Sequence, residues 1–92
     1  MRKLIFTEQF IQEGSTVVAY CPELDVSSCG ATVAQARANL RTAIRLFLEE
    51  AARMGTLADI LTEAGYDLTE EVLSSPVVAI TQQTMSLDRV PA

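Results

Sequence analysis

Residues 20–40, YCPELDVSSCGATVAQARANL, decide how this chain folds. Pro22 has no N–H and cannot continue a central ladder, so the strand reaching Cys21 must stop there and turn through Glu23 and Leu24. The run from Val26 to Cys29 returns as a short third strand. Gly30-Ala31-Thr32 then opens a helix, because Thr32 is a good N-cap and Gln35, three residues later, completes a capping-box pattern. Two cysteines, two acids, a proline and a glycine lie close together here, and the stretch reads better as the corner of a scaffold than as a chemical site.

Beyond the corner, Val33, Ala36, Leu40, Ala43, Ile44, Phe47, Ala51 and Met54 recur at spacings of three and four and end at Gly55. That is one apolar helix stripe, which must lie on something apolar, most simply the sheet. Thr56–Ala64 repeats the design in miniature, with Thr56 as cap, Leu57, Ile60 and Leu61 inward, Gly65 as the stop and Tyr66 folding back over it. Asp67–Ser75 reads as a polar loop, Val77–Met85 as a last strand and 86–92 as a frayed tail. Upstream, Lys3–Ile11 and Thr16–Cys21 are rich in β-branched and aromatic residues, and Gln12-Glu13-Gly14-Ser15 joins them as a hairpin. The order β-β-β-α-α-β predicts an α+β fold in a single domain over residues 1–85. Three antiparallel strands carry helices on one face, and a right-handed crossover sets a returning strand parallel to a neighbour.

With 92 residues there is room for one small core. The longest apolar run, Val17–Cys21, is far too short to cross a membrane, and MRKLIFTEQF lacks the apolar core of a signal peptide, so the cytoplasm is the expected compartment. A net charge of −5 repels phosphate backbones and favours basic or neutral partners.

Candidate sites are few. Cys21 and Cys29 are too few for a disulfide framework, and without histidine they do not make a zinc site; no metal and no cofactor is expected, and Cys29 is the more reachable thiol. Absence of histidine also removes the commonest general base, and phosphate-loop and triad motifs do not occur, so an enzyme is not expected. Glu23 and Asp25 read as solvated acids at a strand end. Arg37, Arg41 and Arg45 form an i, i+4, i+8 row on the helix face opposite the apolar stripe. Like charges so arranged oppose the helix slightly, and Glu49 with acids from neighbouring loops is the expected compensation.

The segment VVAYCPELDVSSCGATVAQARANLRTAIRLFLEEA resembles the HicB-like antitoxin family over roughly residues 16–52. Tyr20, Pro22, Glu23, Leu24, Gly30, Thr32, Ala36, Asn39, Leu40, Ala43 and Phe47 carry the likeness. It implies a partial ribonuclease-H-like fold, β-β-β-α-β, without nuclease activity, in a protein that binds and masks a small toxin cleaving messenger RNA. Many members add a helix-turn-helix or ribbon-helix-helix module that represses their own operon. The residues after Pro76 are too few for either, which argues against direct DNA binding. The family often has glycine where Asp25 stands.

Two functions follow as expectations. The first is an antitoxin, or an orphan relative of one, that covers a small basic RNA-cleaving toxin through the sheet edge near Glu23–Cys29 and the acids beyond the long helix, with Glu23, Leu24 and Asp25 as contacts and Leu24 as an apolar anchor. The alternative is an oligomeric nucleic-acid-binding regulator that uses the Arg37, Arg41 and Arg45 row. Edge strands invite pairing, so a homodimer or tetramer is expected, with Val77–Met85 adding to another subunit's sheet.

Overall fold

The computed structural model describes residues 2–91 and is α+β, in the order the sequence predicts. Its elements are β1 (Lys3–Leu4), β2 (Gln9–Glu13), β3 (Thr16–Cys21), β4 (Val26–Gly30), α1 (Val33–Met54), α2 (Leu57–Glu63) and β5 (Val72–Leu73). Strands β2-β3-β4 form an antiparallel sheet, while β1 and β5 pair in parallel.

The β2–β3 hairpin closes with Glu13 opposite Thr16. Gly14 supplies a φ of 60° at the first turn position, where a two-residue hairpin loop wants a left-handed residue. Strand β3 alternates cleanly, with Val17, Ala19 and Cys21 buried on one face. Those three meet Ala36, Leu40 and Ile44 of α1, and Leu24, Leu61, Tyr66 and Leu73 close the core at one end.

Helix α1 starts and stops by local chemistry. Thr32 is extended and its Oγ1 accepts the Gln35 amide at 3.1 Å. Gln35 returns the favour to the Ala31 amide, one residue earlier than a strict capping box would have it. At the other end Gly55 adopts φ 75°, its N–H bonds Ala52 O, and the Thr56 N–H reaches Ala51 O, which is a Schellman closure. Gly65 and Tyr66 repeat that closure on α2 through Thr62 O and Leu61 O. Thr56 stands at the start of α2 without capping it, because its hydroxyl is turned back to Ala51 O.

Two local expectations are corrected. Lys3–Ile11 is not one strand: it breaks into β1 and β2, and in the gap the Thr7 amide, a potential ladder donor, is taken by the Glu23 carboxylate. The returning strand is Val72–Leu73, inside the segment read as a loop, and Val77–Met85 forms no strand. Leu73 is buried beside β1, whereas Val77–Met85, for all its β-prone composition, pairs with no strand of the structure.

Candidate functional site

The corner at residues 22–25 is a four-residue turn between β3 and β4, not an extended segment, so Glu23 and Asp25 point to different places. Asp25 is exposed, has φ 53°, and its Oδ1 accepts the Tyr20 hydroxyl at 2.9 Å. That bond holds the phenol proton, raising the Tyr20 pKa. The left-handed backbone there also explains why glycine would suit the position.

Glu23 is half-buried and is the most densely bonded side chain of the corner. It accepts the Thr7 N–H at 3.0 Å and the Thr7 hydroxyl at 2.7 Å, and the Ser75 hydroxyl as well. The Cys21 thiol donates weakly to it at 3.5 Å. Desolvation alone would raise the Glu23 pKa, but the donors from Ser75 and Thr7 outweigh it and hold the carboxyl below its usual range. Burial, with Glu23 beside it, pushes the Cys21 thiol up. Burial and the same carboxylate push up the Tyr66 phenol, whose hydroxyl donates to Ile5 O at 2.8 Å. Leu24 is only 8% exposed and belongs to the core, so the outward anchor expected at this position is absent. Glu23 is a carboxylate that ties three parts of the chain together, rather than a solvated acid.

Gly30, Thr32 and Asn39 are likewise structural. A Cβ on Gly30 would sit 2.7 Å from the Ala36 amide nitrogen, so glycine lets the end of β4 press against the first turn of α1. Asn39 Nδ2 donates to Cys29 O at 2.8 Å and fixes the helix to that strand. Cys29 is exposed and Cys21 buried, both as free thiols.

The arginine row flanks the apolar stripe instead of opposing it. Arg37, Arg41 and Arg45 each follow a buried residue, Ala36, Leu40 and Ile44, by one position, a turn of about 100° around the helix. Glu8, from the segment between β1 and β2, lies between the first two: its oxygens are 3.3 Å from Arg37 Nε and 3.3 Å from Arg41 Nε. Arg45 pairs with Glu49 at 3.9 Å, and the Arg37 guanidinium also sits 5.0 Å from the centre of the Phe10 ring. Below Arg41 and Arg45 an open groove of about 430 Å³ runs between Leu4, Phe6, Ile44 and Leu48.

The strongest charge feature lies elsewhere. Asp59, Glu63, Asp67, Glu70 and Glu71 are all exposed along α2 and the turn before β5, and no basic residue occurs between Arg53 and Arg89. Among the described residues none of the five forms an ion pair, and Arg2, the base that reaches this strip, bonds the Leu68 and Glu70 carbonyls instead. These are the acids beyond the long helix that the sequence offers as a contact surface, legible there from the net charge and the run of acids.

No family model, curated protein or solved structure significantly matches this chain. Among the described residues no helix is long and apolar enough to cross a membrane, and no three His, Cys, Asp or Glu side chains converge as metal ligands.

Proposed function

We propose that this chain is a non-catalytic binding protein of the HicB-like kind, which covers a small basic RNA-cleaving partner with the exposed acidic strip Asp59–Glu71. The observation that carries this reading is the concentration of charge: five acids and no base lie within those thirteen positions, as large as the whole chain's net −5. Such a field draws in a cationic surface, orients it and raises the rate of encounter. The antiparallel β2-β3-β4 sheet followed by α1 and a returning strand supports the same reading, since it follows the order that the family resemblance implies. Leu24 is in the core and Glu23 is bonded internally, which favours the acids beyond the long helix over the corner in this reading.

The test starts at the neighbouring reading frame, which on this reading should encode a small basic protein, and uses that protein with a messenger RNA substrate. Cleavage should stop when this chain is added in equimolar amount. The triple variant Glu63→Gln, Glu70→Gln, Glu71→Gln should associate on the order of tenfold more slowly at low salt. Undiminished cleavage in the presence of the parent chain overturns the proposal.

The alternative, nucleic-acid binding through Arg37, Arg41 and Arg45, draws on the side-chain exposure of Arg41 and Arg45, 64% and 66%. Glu8 and Glu49 offset most of that charge. Failure of the parent chain to retain RNA or DNA at low and at moderate salt ends this alternative.

A further inference from the structure

The arm from Val77 to Val90, whose first part the sequence leads one to expect on another subunit's sheet, is left unused by the proposed function. Val78 is 99% exposed and Met85 83%, and Ile80, Leu87 and Val90 are at least half exposed. The arm makes almost no backbone hydrogen bonds of its own: among the described residues, only the Val90 amide bonds another backbone group. Ile80, Thr81 and Gln82 nonetheless run beside Gln9, Phe10 and Ile11, separated from them by a cavity of about 420 Å³.

That neighbour is an open edge. Glu13 and Thr16 flank the two-residue turn as a bonded pair, so by alternation Ile11 with Val18 and Gln9 with Tyr20 are bonded pairs too. Phe10 and Gln12 therefore aim their backbone N–H and C=O groups away from β3, where no strand among the described residues receives them. A β-prone segment without a ladder and an edge without a partner are complementary.

The size of the exposed surface says what joins them. The chain has 6869 Å² of accessible surface, against about 5,200 Å² for a compact protein of its mass. Its radius of gyration is 16.3 Å, where about 12 Å is usual for 92 residues. The excess, about 1,600 Å², exceeds the roughly 800 Å² that each partner buries in a stable interface. Charge selects the partner. The arm carries one acid and one base, Asp88 and Arg89, and β2 only Glu13, so two copies each bearing −5 approach through their least charged surfaces and keep the acidic strips apart.

We infer that the arm of one copy adds as a strand to the open β2 edge of a second copy, in exchange, making a homodimer. This contact is separate from the acidic strip and stands whether or not a basic partner exists.

Sedimentation of the full chain at micromolar to sub-millimolar concentration should show a dimer. The double variant Val78→Asp, Ile80→Asp should raise its dissociation constant at least tenfold while leaving the thermal midpoint of the separated chain unchanged. Ile11→Cys and Ile80→Cys, placed on different chains that both carry Cys29→Ser, should form a disulfide between chains on mixing under oxidant. A monomer throughout, a dimer that the aspartates do not weaken, or a disulfide that forms only when both cysteines share one chain overturns the inference.

Discussion

Glu23 shows how much one side chain can hold. Its carboxylate receives donors from Thr7 and Ser75, residues 16 and 52 positions away. Because its folded pKa lies below the unfolded value, it adds stability that is fully present above the unfolded carboxylate pKa and is lost as pH falls through the folded one. Glu23→Gln should thus cost about 1–3 kcal/mol at neutral pH and flatten the acid limb of a urea-unfolding series relative to the parent. An equal acid limb in both proteins would show that another carboxylate is responsible. Nothing in the sequence signals this role, because an acid after proline at a strand end looks the same whether it faces water or two distant hydroxyls. Asp25, by contrast, was legible in part: a short turn after Pro22 needs some residue with left-handed backbone, and aspartate tolerates it.

Elements with local causes were the legible ones. Thr32, Gln35, Gly55 and Gly65 act on groups within five positions of themselves, so both ends of α1 and the end of α2 could be placed from neighbours alone. Strands depend on whom they meet. Val72–Leu73 is too short and too plain to signal a strand, yet it pairs with β1 across almost seventy positions. Val77–Met85 has the stronger pattern and no ladder. The arginine row was visible by spacing, but its main counter-charge, Glu8, lies 29 and 33 positions from Arg37 and Arg41. Where β4 meets α1 the tolerance is smallest. Gly30→Ala puts a methyl group against backbone at 2.7 Å and should cost about 1–3 kcal/mol, read as a lowered midpoint in thermal or urea unfolding. An unchanged midpoint would mean that the strand end can move away from the helix.

At the scale of the whole molecule, the chain divides by the reach of its contacts. The β2-β3-β4 sheet and α1 join segments that follow one another, whereas β1 and β5 bring together the two ends of the domain. Closing so long a loop costs entropy, and what offsets it is short in sequence: two residues of ladder, Leu73 with Leu4 beside it, the Arg2 bonds to the Leu68 and Glu70 carbonyls, Tyr66 on Ile5 O and the Glu23 bonds. The β1–β5 pair therefore acts as a latch that shuts last during folding and opens first in the native state. In native-state hydrogen exchange the Ile5 amide, bonded to Leu73 O at 2.9 Å, should exchange by a local opening well before the buried amides of β3, and equal protection of the two would contradict the latch. Such a latch would let the first strand detach for a moment without dissolving the sheet, exposing Leu4 and Leu73 to whatever chaperone or protease inspects the chain while most of it is still intact.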